Sequence, residues 1–300
     1  MVTRIVKNRA QAKKRASRKN ALNRSKRPIL HKQARQANKR HLSVIIPVQN
    51  EEKTIEKVLQ QAERLHPKEI LVIANGCQDQ TPQLVARHRV IRYSYPFRLG
   101  HDVGRAIGAR EATGDVLLFI DGDMVIPAEY LQLFVSACYR GTDISLNNVN
   151  PFLNQTAKID AISMAKSYLN RMLLRPDLGF SSLTAVPHAM KRSAVSLLGY
   201  DSLMVPPLAQ TIAILQGLRV EHPASVNVIR LNRKRSNNRL ANNQVRDMIL
   251  GDHLEAFQYL QEMKSERAFF PDQLRRRHLF QQMERTEELT PQHLLLPADI

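Results

Sequence analysis

The chain has little of what a secreted or membrane-spanning protein carries. Its 300 residues hold two cysteines, Cys77 and Cys138, too few for a disulfide framework or a C-x-x-C metal or redox motif. Two isolated thiols fit a reducing, cytoplasmic setting and a packing role. No segment reaches the ~18 apolar residues of a membrane span, and the first 40 residues lack the apolar core of a secretory signal. Those 40 residues also contain no Asp, no Glu and no aromatic residue. The G-x-G-x-x-G dinucleotide fingerprint is missing as well. Gly100, Gly104 and Gly108 recur every four residues, which gives a helix one small face for close packing.

Positive charge is abundant but unevenly placed. The net charge is +18, and residues 1–40 alone hold fifteen Lys or Arg; the rest of the chain has 30 basic against 27 acidic residues. A near-neutral body therefore follows a cationic arm. The arm is expected to be disordered in isolation, or helical on contact, because it has too little apolar surface to bury. Its charge suits an anionic membrane surface. Nucleic acid is allowed by charge, but no aromatic residue is available for base stacking. A second basic cluster, IRLNRKRSNNR, spans 229–239.

From residue 42 the pattern alternates between strand and helix. LSVIIPV (42–48), EILVIA (69–74), RVIRYSY (89–95), VLLFI (116–120) and DISLNNV (143–149) read as strands. Between them, residues 51–65 put Ile55, Val58, Leu59, Ala62 and Leu65 on one helical stripe, and helices are expected near 82, over 101–114 and over 127–139. Further helices are expected over 155–175, 207–216 and 240–263, with strands near 184–190 and 219–231. Such alternation predicts an α/β fold, a doubly wound, mostly parallel sheet covered on both faces. The expected division is a basic arm (1–40), an α/β domain (41–232) and a helical extension (233–300).

Ligands of such sheets bind beyond the carboxyl ends of the strands. Asn50, Asn75 and Asp121 all sit at those ends and should converge on one crevice. Asp121, Gly122 and Asp123 end an apolar strand, where ionised carboxylates need a compensating cation or donor. Two carboxylates one residue apart can face a hard cation that keeps the rest of its shell for water and phosphates. Gly122 allows the backbone close to a ligand. A solvated acidic turn is the alternative.

PVQNEE (47–52), ANGCQDQT (74–81) and IDGDM (120–124), with the run LGHDVGRAIGAREATGDVLLFIDGDM leading into the last, resemble family 2 glycosyltransferases of the nucleotide-sugar-binding GT-A fold. The resemblance covers residues 42 to about 125 strongly and extends more weakly to about 220. It implies a metal-dependent enzyme that moves a sugar from a nucleoside-diphosphate sugar to a hydroxyl acceptor, in cell-envelope or glycolipid synthesis. Lipid-linked acceptors, and a place at the inner face of the cell membrane, are among the expectations. Pro47, Val48 and Glu51 would line the base and ribose pocket, and Asn75 would contact the base. Arg105 would face the diphosphate or sugar. Asp121 would contact the ribose or sugar, with Gly122 beside it. Asp123 would bind Mg²⁺ or Mn²⁺, and His253 matches the late metal-binding histidine of some related transferases.

One departure stands out. Family members usually carry an acidic pair that supplies the base toward the acceptor, and here Val205, Pro206 and Pro207 occupy that place. A general base contributes roughly 10²–10⁴ in rate. Asp201, His188 and Asp252 are the candidate replacements. A body that binds nucleotide sugar but scaffolds rather than catalyses is the rival reading, and a nucleotidyltransferase without its glycine-rich phosphate loop is a further one.

Overall fold

The computed structural model describes residues 40–153, 159–231 and 244–279. The arm up to residue 39, residues 232–239 of the second basic cluster and the tail from residue 280 lie outside the described residues. Seven strands form one sheet in the order β3-β2-β1-β4-β6-β5-β7. They are β1 (Leu42–Val48), β2 (Glu69–Asn75), β3 (Ile91–Tyr95), β4 (Val116–Phe119), β5 (Ile144–Asn147), β6 (His188–Lys191) and β7 (Val220–Ala224). β6 runs antiparallel to both β4 and β5, and every other pairing is parallel.

The continuous apolar strands are explained by two buried faces. Val44, Ile46 and Val48 of β1 point into one core with Val72 and Leu118, under helices α1 (Ile55–Glu63) and α4 (Ala128–Tyr139). Ile45 points the other way, with Leu71, Ile73, Leu117 and Phe119, under α3 (Val103–Glu111), α6 (Arg192–Leu198) and α7 (Pro206–Leu215). The short α2 (Thr81–Val85) follows β2. The stripe read from the sequence is the buried face of α1: Ile55, Val58, Leu59 and Ala62. A third core joins α5 (Ala161–Met172) to α8 (Gln244–Met263) through Leu169, Met172, Ala256 and Leu260, and α8 also packs on α7.

Helix α3 lies unusually close to the sheet. A Cβ on Gly108 would overlap Ile45 and come within 2.9 Å of Ile73 Cδ1, and one on Gly104 would meet Pro47 Cβ at 3.0 Å. Gly104 and Gly108 are thus a packing device that fixes how far Arg105 stands from β1 and β4, whereas Gly100 precedes α3 at φ 95° with open space around it and takes no part.

Several elements differ from the sequence reading. The strand expected over 219–231 stops at Ala224 and gives way to a helical turn, Val228–Leu231. Pro223 has no N–H for a ladder, and the Asn147 side chain takes over from the sheet: it accepts from Val226 N at 2.8 Å and donates to Val226 O at 3.0 Å. The 155–175 helix begins at Ala161, where Asp160 caps it by accepting from Ser163 N at 3.0 Å. Residues 192–198, not foreseen as a helix, form α6.

Candidate active site

Three loops at the carboxyl ends of β1, β2 and β4 are laced together by polar side chains. After β1 the chain turns through Asn50 at φ 58°, and the Asn50 amide oxygen accepts from Gln78 N at 2.8 Å. Glu51 N donates to Thr81 Oγ1 at 2.8 Å, and Glu52 N to Asp79 Oδ2 at 3.1 Å. Burial opposes the charge of Asp79, but bonds from Thr81 and the Glu52 backbone outweigh it and hold its pKa low. Thr54 then ties the first loop to the third, donating from Oγ1 to Gly122 O at 2.8 Å. A Cβ on Gly122 would lie 2.7 Å from Val48 Cγ1 and 3.4 Å from Glu51 Cγ. Only glycine lets the aspartate turn sit against the buried Glu51.

Arg105 organises the acidic group from below. Its guanidinium bonds Asp102 through Nη1 and Asp121 Oδ1 through Nη2, the latter at 3.0 Å. Burial works against its charge, but Asp121, Asp102 and Asp123 together raise its pKa above the ordinary arginine value. Asp102, held at φ 61° before α3, has its pKa raised by burial; Arg105 opposes this and Asp121 adds to it.

His188 begins β6 and stands beside Phe119 of β4, rings 4.9 Å apart and stacked. Its Nδ1 donates to Ala185 O at 3.0 Å. Burial first, then the positive Arg105, push its pKa down to about 3, against Asp121 and the Ala185 bond. A neutral buried imidazole makes a poor base but a firm wall. The unfolded chain takes up this proton near pH 6.5, so stability is full above that and falls as pH drops toward 3, by at most about 1.4 kcal/mol per unit. Urea unfolding midpoints between pH 7.5 and 4.5 should therefore decline more steeply for the parent than for His188→Gln; parallel slopes would refute this.

The sequence-expected residues separate into groups. Glu51, Gly122, Asp121, Asp123 and Arg105 are brought together, with Pro47 under α3. Val48 is a core residue whose carbonyl accepts from Cys77 Sγ at 3.6 Å. The Asn75 amide is used by the chain itself: it donates to Gly100 O at 3.0 Å and accepts from Leu99 N, clamping the segment that enters α3. Asp201 faces the side of α3 opposite Arg105, in a surface cavity of about 360 Å³ shared with Ile107, Arg110 and Met204. Pro206, at the place of the missing acids, lines the small space behind Arg105 and His188.

Asp252 comes to the group from α8. It is 9% exposed, and burial, Asp102 and Glu255 push its pKa up to about 6. This association across 150 residues left no local signal in the sequence. His253, on the next position, sits in the α5–α8 interface. Its Nδ1 donates to Ile249 O at 2.7 Å and its buried Nε2 has no hydrogen-bond partner among the described residues. Burial lowers its pKa, the Ile249 bond opposes, and Lys166 of α5 adds to the lowering. Among the described residues no three His, Cys, Asp or Glu side chains cluster to hold a metal by themselves.

A family model, glycosyl transferase family 2, matches residues 43–195, from β1 through most of α6. The chain belongs to that family. Among family relatives, glycosyltransferase AglE of Haloferax volcanii is 32% identical over 114 residues, which is 35% of this chain and 37% of that protein. An undecaprenyl-phosphate 4-deoxy-4-formamido-L-arabinose transferase of Pseudomonas fluorescens is 27% identical over 115 residues, 34% of each chain. The chain thus matches about a third of the length of these curated relatives. Glucosyl-3-phosphoglycerate synthase from Mycobacterium tuberculosis, solved with UDP, superposes with a TM-score of 0.54 at 20% identity, over 78% of this chain and 82% of that one. The same enzyme has been solved with Mn²⁺, UDP-glucose and phosphoglyceric acid, again at a TM-score of 0.54. The superposition shows the fold, a GT-A type of sheet.

Proposed function

We propose that this protein moves a sugar from a nucleoside-diphosphate sugar to an acceptor hydroxyl, with Mg²⁺ or Mn²⁺ as cofactor, at the inner face of the cell membrane in envelope or glycolipid synthesis. The observation that carries the reading is the lacing of three strand-end loops around Asp121, Gly122 and Asp123, over a buried Arg105. The donor set suits a hard cation that takes its other ligands from water and a diphosphate: Asp121 is engaged by Arg105, and Asp123 contributes carboxylate oxygen. His253, its Nδ1 fixed on the Ile249 carbonyl inside the α5–α8 interface, is left out of this donor set, since among the described residues no three such side chains gather. When bound, the ion supplies positive charge for the leaving diphosphate.

The chain's own residues do the remaining work. Pro47 and Glu51 border the base and ribose end, with Val48 and Asn75 holding that wall in place. Arg105 orients Asp121 toward the ribose or sugar. Asp252 is the carboxylate best placed to take the acceptor proton, since Asp201 lies behind α3. Residues 1–40 would hold the enzyme on anionic lipid.

Pro206 favours a second reading of the acceptor. A phosphate oxygen is already ionised at neutral pH and needs no base, and two relatives are named as transferases of undecaprenyl-phosphate. The test of the shared reading is a thermal-shift series with UDP, GDP, CDP and dTDP and their sugars, with and without Mn²⁺. One nucleotide should raise Tm only with the metal. Silence across the series would leave a scaffold instead.

A further inference from the structure

Helix α5 buries one apolar face in the fold and leaves an adjoining one largely exposed. Leu169, Met172 and Leu173 fill the core against α8. Met164 and Tyr168, four residues apart on the adjoining side, are 60% and 52% exposed, and Arg171 continues the same row. The segment after α8 enlarges this outer face. Phe270 stacks on Tyr168 with centroids 6.3 Å apart, and Leu274 is fully exposed. Phe257 of α8 meets Tyr168 edge-on at 5.8 Å. A contiguous exposed group of this kind marks an interaction surface.

Its surroundings are cationic. Between residues 262 and 279 four arginines and Lys264 stand against three acids, Glu262, Glu266 and Asp272. That aspartate accepts from Arg275 at 2.9 Å and pairs with Arg277 at 2.7 Å, so the excess positive charge remains beside Leu274. Lys264 lies over the Phe269 ring at 5.2 Å, and Arg171 flanks the row on α5. Aromatic and aliphatic side chains ringed by Lys and Arg match the boundary between headgroups and acyl chains of an anionic bilayer. A bilayer offers phosphates on every side of its apolar zone and can meet cations on both sides of the row, which a single peptide strand cannot. Among the described residues no helix is long and apolar enough to cross a membrane, so the contact is peripheral.

We infer that the outer face of α5, with Phe270, Leu274 and the arginines that follow, rests on an anionic lipid surface. This surface is distinct from the basic arm and does not depend on sugar transfer.

The chain contains no tryptophan, which makes a single introduced one an unambiguous reporter. Full-length Phe270→Trp, Leu274→Trp and, on α4 across the sheet, the exposed Leu133→Trp are mixed with vesicles of phosphatidylcholine containing a third phosphatidylglycerol. Emission of the first two should move to shorter wavelength and be quenched by brominated acyl chains several-fold more than that of Leu133→Trp. Replacing Arg275, Arg276 and Arg277 together by alanine should weaken this about tenfold or more. Equal quenching at all three positions would mean attachment by the arm alone and would overturn the inference. So would no response to vesicles at all. Emission already shifted without lipid and unchanged by it would show that residues 280–300, with Leu294–Leu296, or a second copy covers the face, and would overturn it too.

Discussion

Arg105→Leu should lose about 3–5 kcal/mol of stability, the cost of breaking a buried ion pair from one side. The arginine side chain is 11% exposed and bridges Asp102 and Asp121, which are 14% and 30% exposed. Leucine fills part of the volume but leaves two carboxylates facing each other under α3. The Asp102 pKa, already raised by burial, must then rise further. A carboxyl whose folded pKa is raised lends stability below that pKa and loses it as pH climbs through it. The deficit relative to the parent should therefore narrow as pH falls. Adding Asp102→Asn, which tolerates the positive φ, should recover much of the loss, because removing both charges spares the uncompensated one. Arg105→Lys should recover little, since an ammonium lacks the fork that spans two carboxylates. Urea unfolding at pH 8 and pH 5 checks each point; a loss below about 1 kcal/mol would mean that water already screens the group.

Asp123→Asn is the variant with the largest expected effect on function. It should abolish the metal-dependent part of nucleotide stabilisation and lower transfer by about 10²–10³ or more, the usual cost of losing one electrostatic contact to a developing charge. Tm without ligand should stay near the parent value, because Asp123 is half-buried at the loop tip rather than in the core. Asp201→Asn, across α3, should leave both quantities unchanged. Metal-dependent binding retained in Asp123→Asn would remove the ion from that carboxylate. An effect from Asp201 as large as that from Asp123 would require the cavity behind α3 to be part of the site.

The halves of this chain differ in how much the sequence declares. β1, β2 and β4 are legible because a strand buried on both faces must be apolar throughout, and α1 because its stripe has a helical period. The D-x-D turn is legible because carboxylates at the end of such a strand need an explanation. Beyond residue 150 the signals thin out. β6 is four residues long and enters antiparallel, so neither its bounds nor the pairing of His188 with Phe119 follows from periodicity. The approach of Asp252 to Asp102 depends on α8 folding back over α5 and α7. Asn75 reads as a ligand contact but serves as a clamp, because an amide at a strand end can bond backbone as readily as a base. Asp201 is near the missing acids in sequence and lines the cavity beside Ile107 and Arg110 of α3 in space.

The antiparallel β6 also sets an order of assembly. β1 and β2 join residues 26 apart, as in Ser43↔Glu69, whereas β4 and β6 join residues 75 apart, as in Val116↔Lys191. Closing the longer loop costs about 1 kcal/mol more in chain entropy, and it is repaid only once β5 is alongside. β1, β2 and β3 are therefore the local, early-closing unit, whereas β4 joins β1 across 74 residues, as in Leu42↔Val116. The half carrying His188 and Pro206 is a late addition to a platform that already exists, and destabilising it should leave the first three strands the last part of the chain to surrender amide protection.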